Sequence, residues 1–156
     1  MNQRYFNLLE LELPEMDETP EGHSFRVRSL TQAVGARRTG MSVYEVEAGQ
    51  ATWPYHFELG EEEWIVVLEG EIVLRTPLGT ERLRAGDVAC CVVGPEGAHA
   101  VRNDGEATAR FVMISNVSED ADGAVYPDSG TYVVRTTGWS HRGRLGEQTA
   151  YWEGET

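Results

Sequence analysis

The chain has 156 residues and a formal net charge of −13, and all 13 of its basic residues are arginine. This length predicts a single domain with enough chain to bury a core without disulfides or structural metals. The acidic balance argues against a basic face for nucleic acid or an anionic membrane, and the absence of lysine excludes Schiff-base chemistry on a lysine amine.

Residues 1–22 are predicted to form an N-terminal arm. They carry charges throughout and contain no continuous apolar stretch, which is unlike a signal peptide or a transmembrane segment. Their leucines and aromatic residues can pack on one end of the domain or on a partner subunit. We therefore expect a cytoplasmic protein without a membrane partner.

Short runs of strand character follow from residue 23, separated by turns rich in glycine, proline and acidic residues. Alternating or continuous apolar runs predict strands at 23–30, 41–48, 51–58, 64–68, 72–76, 81–84, 88–93, 98–102 and 107–115. Pro54 places the strand at 51–58 at a sheet edge or makes it irregular. No stretch has a useful helical period, so the pattern indicates an all-β sandwich or barrel.

The C-terminal part is predicted to be less regular. Its expected parts are a solvated linker at 118–123, a turn-rich loop at 125–130, a possible strand at 132–135, and an irregular tail from Gly138 with Trp139, Tyr151 and Trp152 as anchors. The whole chain, 1–156, is predicted to form one domain with its barrel core at about 23–117.

Cys90 and Cys91 are adjacent. Neighbours in a strand point to opposite faces, so a disulfide between them is not expected, and two adjacent cysteines do not have a zinc-site spacing. We expect one buried and one outward thiol in a reducing compartment.

Four side chains with metal-ligating chemistry lie in two separate stretches. His56 and Glu58 are two residues apart and point to one face of an extended chain, and a hairpin would bring Glu63 back beside them. The stretch at 94–103 offers a second imidazole, His99. Two imidazoles and two carboxylates neutralise a divalent cation and suit Fe, Mn, Zn, Ni or Co.

These stretches resemble the two motifs of the cupin superfamily. The first runs Gly49…His56-x-Glu58-x4-Glu63-x6-Gly70, and the second runs Gly86-Asp87…Pro95-x-Gly97-x-His99-x3-Asn103. The resemblance covers about 41–116, and the VYPDSG and YWEGE segments resemble a subgroup of small single-domain bacterial cupins. It implies a double-stranded β-helix, or jelly-roll barrel, with an N-terminal arm and an irregular tail.

The same resemblance implies metal ligands at His56, Glu63 and His99, with position 58 as the fourth. The family has a histidine there, and this chain has Glu58. As a ligand, Glu58 makes the site more anionic and favours Mn or Fe. As a neighbour of the metal, it acts as a general base. The third interpretation is that no metal binds and the imidazoles are hydrogen-bonded core histidines.

Other polar and aromatic residues near the motifs have simpler interpretations. By alternation, Tyr55 and Phe57 face away from His56 and pack on the sheet or on a partner. Arg102 and Arg110 either reach a substrate carboxylate or lie on the strand surface. Asn103 serves its turn rather than the metal.

Two functions fit this pattern. The first is a metal-dependent cupin enzyme acting on a small organic molecule by dioxygenase, isomerase or lyase-type chemistry. The second is a non-catalytic binding module whose metal is structural or absent. The acidic charge and the lack of room for a helix-turn-helix argue against direct action on DNA.

We expect a homodimer, because cupin barrels often pair through an outer sheet face or an N-terminal strand and this chain has an apolar arm and tail aromatics. Size-exclusion chromatography with light scattering measures the mass. A single-chain mass at micromolar concentration would contradict the prediction.

Overall fold

The computed structural model describes residues 5–117, 121–146, 150 and 153. The strands in this part of the chain are β1 Phe25–Ser29, β2 Thr39–Val46, β3 Phe57–Glu58, β4 Glu63–Glu69, β5 Glu71–Thr76, β6 Gly79–Arg84, β7 Val88–Cys91, β8 Ala100–Arg102, β9 Ala109–Asn116, β10 Ala121–Tyr126, β11 Thr131–Thr136 and β12 Trp139–Arg144. A four-residue helix, α1, spans Thr31–Val34, and a 3₁₀ turn spans Pro95–Gly97.

The strands form three antiparallel sheets. A five-stranded sheet has the order β1-β2-β9-β4-β7, a four-stranded sheet has the order β12-β11-β10-β3, and a three-stranded sheet has the order β6-β5-β8. Neighbours in these sheets are mostly distant in sequence, as in a jelly roll rather than a simple meander. The predicted all-β jelly-roll class is confirmed.

The main core lies on the inner face of the five-stranded sheet. Alternation along β2 and β9 turns Tyr44, Val46 and Phe111 inward, and all three are buried. The rings of Tyr44 and Phe111 stack with centroids 5.0 Å apart and an interplanar angle of 5°. These aromatic residues bury large apolar areas, so they contribute strongly to the stability of the barrel.

The N-terminal arm covers the outer face of the same sheet. The alternate residues Val43 and Val112 point to this face and are buried there. Apolar side chains of the arm pack against this second cluster, namely Phe6, Leu8, Leu11 and Leu13. The arm therefore closes a sheet face that would otherwise be exposed to water.

Arg110 ties the arm to the sheet. This side chain is only 7% exposed, so neither the substrate role nor the surface position considered for it from the sequence is correct. Its guanidinium donates to the carbonyl oxygens of Leu8 at 2.6 Å and Leu11 at 3.0 Å, and to Glu45 Oε1. The second candidate, Arg102, pairs at the surface with Asp104.

The structure corrects the prediction for the C-terminal part. Residues 121–123 belong to β10 rather than to a linker, and the predicted irregular tail contains β12. The β12 sequence WSHRGR has only one apolar residue, and pairing holds these strands in place: β10 pairs with β3 and β11, and β11 pairs with β12. The expected anchors Tyr151 and Trp152 lie outside the described residues, and Trp139 is exposed.

The predicted strand at 51–58 is mostly irregular. Only Phe57–Glu58 forms a strand, and isolated bridges join Ala51 and His56 to other segments. Pro54 lacks an N–H and interrupts the ladder, which agrees with its expected effect. No helix among the described residues has the length and apolar character needed to cross a membrane.

The two cysteines lie on opposite faces of β7, as predicted. Both are free, with Cys90 exposed and Cys91 buried. Burial, with a smaller effect from Glu63, raises the pKa of Cys91 to about 12. The Cys91 thiol therefore stays protonated at neutral pH and behaves as a small apolar core residue.

Replacing Arg110 with Met should destabilise the fold by roughly 2–4 kcal/mol, because Glu45 and two arm carbonyls lose their buried partner. Urea unfolding measures the change. The matched control is Arg82→Met, whose partner Glu71 lies in an exposed ion pair, with an expected loss below about 1 kcal/mol. Equal losses in both variants would contradict the role of Arg110.

Candidate metal centre

The two motif stretches meet at a pair of histidines. The His56 N–H donates to the His99 carbonyl oxygen at 3.0 Å, and the His99 N–H donates to the His56 carbonyl oxygen at 2.8 Å. This is an isolated antiparallel bridge outside the named strands. It places the ring centroids 4.7 Å apart.

Each histidine ring is oriented by its own segment. Nδ1 of His56 lies 2.7 Å from the carbonyl oxygen of Pro54, and Nδ1 of His99 lies 3.0 Å from that of Gly97. A carbonyl oxygen only accepts hydrogen bonds, so both Nδ1 atoms carry the proton. In the neutral rings Nε2 therefore bears the lone pair, which is the state needed to ligate a metal.

A carboxylate faces each of these Nε2 atoms. Glu58 Oε1 lies 3.3 Å from His56 Nε2, and Glu63 Oε2 lies 3.2 Å from His99 Nε2. Ligand atoms of His56, Glu63 and His99 all lie within 4.8 Å of one another. The structure thus brings together three of the four residues singled out in the sequence and places the fourth beside them.

This arrangement fits a cation. His99 Nε2 and Glu63 Oε2 are both buried, and neither has a hydrogen-bond partner among the described residues. Two lone-pair-bearing atoms in contact repel each other unless a proton or a metal ion lies between them. The donor set of two imidazole nitrogens and a carboxylate oxygen is one that first-row divalent metals accept.

A proton on His99 is the alternative to a metal ion. Burial lowers the pKa of His99, but Glu63, the hydrogen bond to the Gly97 carbonyl oxygen and, more weakly, Glu58 together outweigh it, so the pKa of His99 is raised above its ordinary value. The side chain is only 2% exposed, so an imidazolium there depends on Glu63 for its charge balance. The same negative field attracts a divalent cation.

Glu58 lies outside the three-residue cluster but in contact with it. It belongs to β3, and its backbone is held by the β10 register and by the Gly94 N–H, which donates to the Glu58 carbonyl oxygen at 2.9 Å. Its side chain contacts His56 and lines the adjacent cavity. Its two predicted roles, ligand and base, both place it at this position.

A cavity of about 500 Å³ opens beside the cluster. Its wall includes His56, Glu58 and Glu63, together with side chains from the arm and from β10–β12. Sequence reasoning missed several of these residues, including His23, Tyr126, Arg135 and Arg142. Only Tyr126 lies in the VYPDSG segment. The pairing of β10 with β3 brings the residues of β10, β11 and β12 to the site, and a bridge to Ala51 places His23 there.

The comparisons with known proteins agree with this architecture. A family model described as a cupin domain matches residues 42–115, the span that contains both histidines and both carboxylates. This match identifies residues 42–115 as a cupin domain. No curated protein matches it.

Of three solved structures similar to this chain, two cover about nine-tenths of it and the third covers about three-quarters. A protein of Acidithiobacillus ferrooxidans, provisionally named a sugar phosphate isomerase, is 24% identical with a TM-score of 0.78, over 88% of this chain and 87% of its own. A cupin-superfamily sugar phosphate isomerase of Silicibacter pomeroyi is 21% identical with a TM-score of 0.77, over 90% and 92%. The polyketide cyclase RemF of Streptomyces resistomycificus is 23% identical with a TM-score of 0.60, over 74% and 80%. At these identities the likeness establishes the fold.

The residues predicted to be outside the site are found outside it. Tyr55 and Phe57 are absent from the cavity wall, and the Arg75 guanidinium lies 3.8 Å from the Tyr55 ring centroid. Asn103 serves the turn: its amide donates to the Val46 and Ala107 carbonyl oxygens, and its Oδ1 accepts from the Gly105 N–H.

Replacing Gly97 with Ala should disrupt the centre without removing a ligand. A Cβ at Gly97 would lie 1.7 Å from the Val92 carbonyl oxygen, so the loop that orients His99 must move. We expect a loss above about 2 kcal/mol in thermal unfolding, together with reduced metal uptake. The control is Gly146→Ala, where a Cβ meets nothing within 4 Å. Unchanged stability and uptake in the Gly97 variant would contradict this account.

Proposed function

We propose that this cupin is a metal-dependent enzyme that acts on a small organic molecule in the cavity beside His56. The observation that carries the proposal is the convergence of His56, Glu63 and His99, with the Nδ1 atoms of both rings engaged by carbonyls and the Nε2 atoms directed at carboxylates. A centre whose ligands are fixed in advance loses little freedom on binding its metal.

The ligands of the proposed centre are His56, Glu63 and His99, with Glu58 as a fourth ligand or as a base. A divalent metal held there supplies Lewis acidity toward a substrate oxygen, or a site for O₂. Glu58 lines the cavity, so as a base it can accept a proton from the substrate and return it. Dioxygenase, isomerase and lyase-type reactions are the classes that this set of groups supports.

The names of the structural neighbours favour isomerase or lyase-type chemistry within this range. Two neighbours are named sugar phosphate isomerases, and another is a polyketide cyclase. Isomerisation moves a proton between neighbouring carbons and needs a polarised oxygen and a nearby base. A metal centre beside Glu58 would provide both.

The second candidate is a non-catalytic barrel that binds a small molecule, with a structural metal or none. The observation in its favour is that protons on the two imidazoles would satisfy the Nε2–carboxylate contacts without any metal. A bound metal with an exchangeable water separates the two candidates, because an enzyme needs a coordination position open to substrate.

The test is elemental analysis of the purified protein and of three variants. We expect a stoichiometric divalent metal in the parent, loss of metal in His99→Ala, and full metal in the control Glu62→Ala, whose side chain is exposed. Loss of metal in Glu58→Ala would make Glu58 a ligand, and retention would place it beside the metal rather than among its ligands. Circular dichroism checks that each variant is folded.

A parent protein without metal after reconstitution with Mn²⁺, Fe²⁺ and Zn²⁺ would defeat the proposal and leave the binding barrel. For a protein that takes up Mn²⁺, water-proton relaxation then measures the open position. Enhanced relaxation supports the enzyme, and a closed, water-free centre supports a structural metal.

A further inference from the structure

A second set of polar groups lines the cavity at the metal centre. These groups come from the β10–β11 turn and from β11 and β12, and they are Ser129, Thr131, Arg135 and Arg142. The proposed chemistry at the metal centre does not use any of them. Their presence in the wall of a cavity that already holds candidate metal ligands raises the question of what they bind.

The two arginines in this wall have different charge environments. Arg135 Nη1 lies 3.2 Å from Asp122 Oδ2, so its charge is balanced within the protein. Arg142 has no carboxylate partner among the described residues. Arg142 is therefore the cation of the cavity wall that is available to a ligand.

Tyr126 connects Arg142 to the metal centre. Its ring stacks on His56, with centroids 5.7 Å apart and an interplanar angle of 25°, and the Arg142 guanidinium carbon lies 5.2 Å from its centroid. The ring restricts the guanidinium by a cation–π contact and leaves the N–H donors at its edge free. One aromatic ring thus contacts both groups, so a molecule of a few carbon atoms can reach both.

Neutral donors accompany this cation. The Ser129 and Thr131 hydroxyls are 2.8 Å apart, and Ser129 Oγ also lies 3.4 Å from the Tyr126 carbonyl oxygen. Guanidinium and hydroxyl groups together are the donors that proteins use for phosphate and carboxylate oxygens. The alternative is that Arg142 is only a solvated arginine on an edge strand, which would contribute nothing to anion binding.

Apart from the two arginines and the histidines, the ionisable side chains of the wall are acidic or phenolic. Asp17 and Glu18 of the arm line the cavity together with Glu58 and Glu63. An anion entering such a cavity is repelled except near Arg142 and, when it is loaded, near the metal. Because these carboxylates repel an anion, Arg142 should contribute strongly to anion binding. The anionic group of a ligand is therefore expected to point toward β12.

We propose that Arg142, with the Ser129 and Thr131 hydroxyls, binds the oxyanion group of the substrate, a phosphate or a carboxylate, while another oxygen of the substrate faces the metal centre. This inference rests on the proposed function and narrows it. The substrate is then a small anionic hydroxy or oxo compound rather than a neutral molecule.

The test is calorimetric titration of the metal-reconstituted protein with three probes: glycerol 2-phosphate, lactate and glycerol. One of the two anionic probes should bind, and glycerol should not. Which of the two anions binds shows whether the site recognises a phosphate or a carboxylate. Arg142→Gln should weaken binding of that probe at least about tenfold, the effect expected when a charged hydrogen bond is lost. The control Arg28→Gln removes the same charge from an exposed position on β1 and should bind like the parent.

Metal content measured on the same samples separates this inference from the function on which it rests. If the protein holds no metal but binds an anion, and Arg142→Gln weakens that binding, the proposed function would be defeated and the anion site supported. If the protein takes up metal but does not bind the anions, the anion site would be overturned and the metal centre would remain. The same conclusion would follow if the parent and Arg142→Gln bound the anion equally well. Equal weakening in Arg28→Gln would also overturn it, because a general loss of charge would then explain the effect.

Discussion

The site depends on the reciprocal backbone hydrogen bonds between His56 and His99. They join two segments that are far apart in sequence and set the distance between the two imidazoles. Each ring is then turned by the carbonyl oxygen two residues before it, from Pro54 or Gly97. Position and orientation therefore come from the backbone, and this is how a site can be ready for a metal before the metal binds.

Much of this arrangement could be predicted from the sequence, because its determinants are local. The two-residue spacing of His56 and Glu58 places them on one face, and continuous or alternating apolar runs in the flanking segments predict the strands that carry Glu63 and the core. The alternation of side chains along a strand also predicted that the adjacent cysteines lie on opposite faces of β7. The resemblance to the cupin motifs then supplied the long-range step, the meeting of His56 with His99.

The parts that could not be predicted depend on contacts between distant segments with weak local signals. The β12 sequence WSHRGR has no apolar alternation, and pairing with β11 makes it a strand. Arg110 looks like a surface residue because its strand gives no sign that the arm covers it. The arm itself was expected, but its docking face is decided by the match between its leucines and the Val43–Val112 side of the sheet.

Glu58 links the motif residues that could be predicted from the sequence to the C-terminal strands that could not. Its backbone pairs with Ala124 of β10, and its carbonyl oxygen accepts from the Gly94 N–H in the loop before His99. The short strand β3 thus connects the second motif to the four-stranded sheet that carries Arg142 at its other edge. A carboxylate at this position adds negative charge on the metal side of the cavity, while the uncompensated guanidinium lies on the β12 side. This separation of charge favours a substrate that presents an anionic group to Arg142 and a neutral oxygen to the metal centre.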